Sequence, residues 1–155
     1  MIPIRNLAES DLAMVEAISA ASPGAARWSV LAYQAMLRDP LQGRVLVACD
    51  DGRVVAFVCI RVVAGEAEVM NLAVEPAWRR QHIAFRLLEQ GLRLAAIEGA
   101  HRVFLEVRKT NEAALRLYER FGFTVIGART GYYKDPLEDA VVLGRSLALA
   151  EPTAN

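Results

Sequence analysis

Apolar residues recur along this chain with two different periods, and the changes between them outline its elements. Ile2 and Ile4 alternate with polar neighbours and predict a short first strand. Leu12, Val15 and Ile18 then share one face of a helix that Ser10 is placed to cap, and Ser22-Pro23-Gly24 breaks it. Trp28-Ser29 opens a second helix with Val30, Tyr33 and Leu37 at helical spacing, followed by a turn over 40–43. These helices hold few charges, which suits either the walls of a groove or ordinary cover for a sheet. Two valine-rich runs, 44–49 and 53–63, flank Asp50-Asp51-Gly52, a strong hairpin signal. Ala64-Gly65 turns the chain into a third strand over 66–74, which Pro76 ends. A helix over roughly 80–98 buries Ile83, Leu87 and Leu88 and stops at Gly99. The strand over 101–107 is reached through that helix, so it is expected to run parallel to the strand before it. A short helix over 111–120 ends at Phe121-Gly122-Phe123, and strands over 124–128 and 140–147 close the chain around a loop holding Tyr132 and Tyr133. Residues 150–155 read as a frayed tail. The expectation is an α/β (α+β) chain: a mixed, mostly antiparallel sheet of about seven strands with a central parallel pair, flanked by helices.

Composition narrows the class. At 155 residues the chain is most simply one domain over 1–149, and 54% hydrophobic residues are enough for a core and too many for disorder. Eighteen basic and 18 acidic residues cancel, so no global field draws the chain to nucleic acid or an anionic membrane. Cys49 and Cys59 lie on either side of the hairpin turn without C-x-x-C or histidine spacing, which predicts buried free thiols and no metal site. The start, Met-Ile-Pro-Ile-Arg-Asn, lacks a signal-peptide core, and no apolar run approaches membrane-spanning length. A cytoplasmic enzyme or binding domain is expected, as a monomer or weak homodimer.

The densest chemistry follows the third strand. Arg79-Arg80-Gln81-His82-Ile83-Ala84-Phe85 brings two cations and several unpaired amide N–H groups to one helix start, where the positive end of the dipole favours a phosphate. The same residues also read as a plain strand–turn–helix with a solvated arginine pair. V-x-P-x-x-R-R-x-G-I-G-x-x-L-L is the acetyl-CoA signature of the GNAT acyltransferases, and this stretch resembles it at nearly every position. His82 stands at the first glycine and Ala84 at the second. Histidine enters left-handed backbone space with some frequency, so the loop is expected to keep its shape. The order of elements is also the GNAT order, so the resemblance covers essentially the whole chain.

That resemblance implies acetyl-CoA as cosubstrate. Its pyrophosphate would sit on amides of Arg80, Gln81, His82, Ile83, Ala84 and Phe85, with the Arg79 and Arg80 side chains nearby. The oxyanion and the pantetheine arm would use backbone groups of Leu72, Ala73 and Val74, where the strand diverges from its parallel neighbour and opens a V-shaped slot. Leu105-Glu106-Val107-Arg108 matches the segment carrying the general base in RimI-type N-terminal acetyltransferases, so Glu106 would take the amine proton through water. Read from the strand alone, Glu106 is a carboxylate paired with Arg108 on the same face. Residues 111–123 resemble N-x-x-A-x-x-L-Y-x-x-x-G-F, which makes Tyr118 the general acid for the departing thiolate and Asn111 a cofactor contact. Without that match Tyr118 is a core tyrosine. Tyr132, Tyr133 and Trp28 resemble residues that grip the acceptor peptide in N-terminal acetyltransferases. The implied activity is transfer of acetyl from acetyl-CoA to a protein N-terminal amine, such as that of a ribosomal protein beginning with alanine. Acetylation of a small amine, or acyl-CoA binding without catalysis, would use the same fold.

Overall fold

The protein is described here by a computed structural model covering residues 1–22, 25, 26 and 28–148. Its strands are β1 (Ile4–Asn6), β2 (Arg44–Asp50), β3 (Arg53–Val63), β4 (Glu66–Val74), β5 (Arg102–Arg108), β6 (Thr124–Tyr133) and β7 (Glu138–Ser146). Its α-helices are α1 (Leu12–Ala20), α2 (Val30–Arg38), α3 (Ile83–Ile97) and α4 (Glu112–Arg120). The strands form one sheet in the order β1-β2-β3-β4-β5-β7-β6, antiparallel everywhere except between β4 and β5. The mixed seven-stranded sheet with a central parallel pair is therefore present. Among the described residues, no helix is long and apolar enough to cross a membrane. The break at Pro23-Gly24 and the tail over 150–155 lie outside the described residues.

Each face of the sheet carries its own core. On one, Leu87, Leu88 and Leu92 of α3 and Tyr118 of α4 pack on Val58, Val69, Val103, Leu105 and Val107. On the other, Leu12, Val15 and Ile18 of α1 and Tyr33 and Met36 of α2 cover Val47, Phe57 and Ala73. Cys49 and Cys59 are buried and unpaired, as expected, and burial pushes the Cys59 thiol pKa up to about 12. The hairpin between β2 and β3 pairs Asp50 with Arg53 across Asp51 and Gly52, both at positive φ (49° and 82°), as its Asp-Gly requires.

Several boundaries differ from those read in the sequence. Ser10 does not cap α1; it lies in a short 3₁₀ turn (Glu9–Asp11), and the helix begins at Leu12. Asp11 takes over the organising role, accepting the Ala8 N–H at 2.7 Å and pairing with Arg5 at 2.6 Å. Val30 N–H, at the start of α2, is capped by the Glu16 carboxylate from α1 at 2.6 Å, not by Ser29. In α2 the buried partner of Tyr33 is Met36, while Leu37 is exposed, because the apolar stripe steps by three. Helix α3 starts at Ile83, three residues later than expected, because Arg80 and His82 are left-handed. The tyrosine pair lies at the end of β6, where Tyr133 pairs with Glu138. Tyrosine suits a pleated, half-buried surface, which carries the strand past 128.

The Arg5–Asp11 pair makes a stability prediction. Its hydrogen bonds hold the Asp11 carboxyl below its usual range, and the side chain is nearly buried. A carboxyl depressed in the folded state stabilises fully above its unfolded pKa, near ~4, and less as pH falls through the lower folded value. Asp11→Asn is expected to cost about 2 kcal/mol at neutral pH. The melting-temperature gap from wild type should narrow below about pH 4.

Candidate active site

The site begins where two strands part. The parallel β4–β5 ladder holds only Glu66–Arg102, Ala67–Val103 and Glu68–Phe104. Beyond it β4 continues to Val74, while β5 stays paired with β7 as far as Arg108 opposite Ala140. The expected V-shaped slot is this gap. A β-bulge prepares its β4 edge: Ile60 pairs with Val69 and Cys59 with Asn71, which leaves Met70 as the extra residue. The bulge reverses the phase of the strand. Val69 faces α3, whereas Asn71 faces α1 and α2. Further along, Glu75 N–H donates to Val55 O of β3, so alternation turns the amides of Leu72 and Val74 toward the gap and that of Ala73 toward β3. Leu72 N–H is taken by the Asn71 Oδ1 at 3.1 Å, and Val74 O accepts from Arg79 Nε at 3.2 Å. Val74 N–H is the donor left facing the slot.

The stretch expected to hold the pyrophosphate turns twice before α3. Arg80 (φ 64°) and His82 (φ 60°) are both left-handed, and α3 opens without a side-chain cap. Its first amides are thus unclaimed by side chains, as an anion site requires. Ile83 is buried and anchors the turn, while Arg79, Arg80, Gln81 and His82 are exposed. Ala84 falls within the first turn of α3, where a helical φ suits alanine, and Phe85 stacks on Phe121 at 4.4 Å under the Arg120 guanidinium.

Glu106 and Tyr118 lie on opposite faces of the sheet. Strand alternation sends Val103, Leu105 and Val107 into the α3 core and turns Glu106 to the other side. Its partner is Arg129 of β6 at 2.7 Å, not Arg108. Arg108 pairs instead with Glu138 at 3.3 Å and stacks on Tyr133 at 4.4 Å. The Glu106 carboxylate beside Tyr132, with some burial, raises the Tyr132 phenol pKa. Tyr133 is pushed up to about 12, first by burial and then by the charges of Tyr132 and Glu106. Tyr118 is buried under Phe123, and desolvation drives its pKa far up, with Tyr133 adding to the effect. Tyr133 therefore stands within electrostatic reach of both Glu106 and Tyr118. Asn111 caps α4, accepting the Ala114 N–H at 3.2 Å. Trp28 packs beside Tyr33 (5.6 Å between rings) on the α1–α2 core.

Comparison with known proteins follows this geometry. The acetyltransferase (GNAT) family model matches residues 12–123. The chain belongs to the GNAT family. As a GNAT acetyltransferase it is an enzyme that takes its acetyl group from acetyl-CoA. It is 31% identical to a Bacillus subtilis relative over 90% of this chain and 92% of that one. It is 36% identical to the [ribosomal protein bS18]-alanine N-acetyltransferase of Escherichia coli K12, over 64% of this chain and 69% of the relative. The crystal structure of the Escherichia coli ribosomal-protein-S18-alanine N-acetyltransferase superposes with a TM-score of 0.85 at 29% identity, covering 100% of this chain and 99% of that one.

This GNAT chain fits the donor at the points its backbone offers. The uncapped α3 N-terminus suits a pyrophosphate, and the open edge of β4 suits an amide-rich arm. Histidine at the first glycine position of the GNAT signature adopts the left-handed turn itself. His82→Gly is therefore expected to leave the acetyl-CoA dissociation constant within about threefold, strain relief offsetting the entropy of glycine. His82→Val, β-branched at positive φ, is expected to lose about 1–3 kcal/mol of stability and to weaken acetyl-CoA binding. Calorimetric titration and thermal melts check both.

Two residues of this GNAT site had no motif to mark them. Arg129 lies among exposed residues of β6, and nothing local distinguishes it as a partner of Glu106. Asn71 did leave a trace, a single amide within the apolar run Val69-Met70-Asn71-Leu72-Ala73-Val74.

Proposed function

We propose that this enzyme acetylates the N-terminal α-amine of a protein, with Glu106 as base and Tyr118 as acid, in one domain over residues 1–149. The observation supporting the proposal is that Glu106, on the part of β5 beyond the β4–β5 ladder, and Tyr118 lie on opposite faces of the sheet with Tyr133 near both. Acetyl transfer needs a neutral amine, a donor for the carbonyl oxygen and a proton for the departing sulfur. Glu106 takes the amine proton through water. Its carboxylate is held by Arg129, so the incoming ammonium meets an oriented acceptor. Val74 N–H donates toward the carbonyl oxygen. Tyr118 keeps its proton at working pH because burial opposes the phenolate; it passes that proton to the leaving sulfur and takes back the one that the new amide nitrogen sheds.

The acceptor class rests on two supports. An α-amine titrates near ~8 and a lysine near ~10.4, a gap of about 3 kcal/mol in deprotonation, so a lone carboxylate with water is better matched to the α-amine. The Escherichia coli relative is named for the alanine of ribosomal protein bS18, which points to an N-terminal alanine of a ribosomal protein. Tyr132, Tyr133 and Trp28 would grip the acceptor backbone.

Thiol release from acetyl-CoA with a panel of amines tests the reading. Peptides beginning Ala-Arg are expected to be turned over, and the same peptides N-blocked but bearing a lysine are not. Release with polyamines alone would replace the protein N-terminus by a small amine.

A further inference from the structure

One buried polar side chain ties β4 to Ala26 on the α1–α2 side of the sheet, and it lies outside the proton-transfer groups. Asn71 follows the Met70 bulge directly, is 6% exposed, and points into the α1–α2 side of the sheet. Its Nδ2 donates to Ala26 O at 3.1 Å and to the Tyr33 hydroxyl at 3.0 Å, and Ser19 Oγ lies at 3.5 Å. Its Oδ1 accepts from Ala26 N–H at 3.2 Å and from Leu72 N–H at 3.1 Å. With Ala26 the side chain thus makes the two reciprocal bonds that neighbouring strands exchange through their backbones. A core asparagine needs only to be satisfied, and Tyr33 and Ser19 alone would supply partners. Bonding both backbone groups of Ala26 fastens the connection between α1 and α2 to β4, two residues before Trp28. The same oxygen holds the Leu72 amide on the slot side.

We infer that Asn71 is a positioning residue for the acceptor: it holds Ala26, two residues before the Trp28 read as an acceptor contact, against β4. The inference rests on the reading above that Glu106 takes the amine proton and that Trp28 grips the acceptor. The bulge is part of the device, because without Met70 as an extra residue Asn71 would turn toward α3. Its bond to the Leu72 amide stays within β4 and none reaches the α3 N-terminus, so its effect should fall chiefly on the acceptor.

The test is a split between the two cosubstrates. Asn71→Ala is expected to raise the acceptor KM about tenfold while the acetyl-CoA dissociation constant, read by direct titration, stays within about twofold. Tyr33→Phe removes only the core-side partner and should leave the acceptor KM within about twofold. An unchanged acceptor KM in Asn71→Ala, or an equal loss for both cosubstrates, overturns the inference. Should the alanine variant not fold, amide exchange in the wild type decides, since the Ala26 amide must be protected if Asn71 holds it and fast exchange overturns the claim. Failure of the α-amine reading looks different: the wild type then turns over another amine of the panel, and the KM split is read with that amine.

Discussion

Glu106→Gln is expected to lower kcat/KM for an α-amine peptide by about 10²–10⁴, the range a positioned general base supplies. Glutamine keeps the size but neither accepts the amine proton nor forms the ion pair with Arg129. Acetyl-CoA titration should be unaffected, because Glu106 faces away from the core that α3 shares. Without a base, the residual rate should follow the free amine alone, rising about tenfold per pH unit up to the peptide's own pKa near ~8. Retention of wild-type activity would remove Glu106 from the chemistry and leave it as one half of a strand ion pair.

Tyr118→Phe carries the second large effect. A drop of about 10² in kcat with little change in either KM is expected, because the lost group acts only as the sulfur departs. The Tyr118 hydroxyl makes no hydrogen bond to the described residues, so the variant should melt close to wild type. A donor thioester whose thiol is more acidic should recover part of the loss, needing less protonation. Since burial holds the phenol protonated, wild-type activity should show no alkaline loss from this residue below about pH 10. A Tyr118→Phe enzyme with full kcat would return Tyr118 to a purely packing role.

How much of this was legible depended on the range of the interaction that decides it. Valine-rich alternation, Asp51-Gly52 and Gly99 act within a few residues, and the strands, the hairpin and the end of α3 follow from them. The reversal at Met70 is decided by pairing with Ile60 and Cys59, across the sheet and out of reach of any local pattern. Alternation correctly turned Glu106 away from the α3 core, yet its partner depends on strand order. Arg108 and Arg129 both register against Ala140 of β7, one from each side, and each reaches a different carboxylate. The late start of α3 has a similar origin. Arg79-Arg80-Gln81 has no helix breaker after Pro76, and the left-handed turns at 80 and 82 became visible only in the backbone.

The parting of β4 and β5 has a consequence for traffic. A continuous sheet is a partition, and reagents on its two sides never meet. Among the described residues the partition opens between β4 and β5, with α3 on one side and Glu106 on the other. On the proposed function, donor and acceptor arrive through separate entrances, and neither must leave before the other comes in. Both can be resident at the moment of transfer, and the enzyme has no need to hold the acetyl group on a side chain of its own.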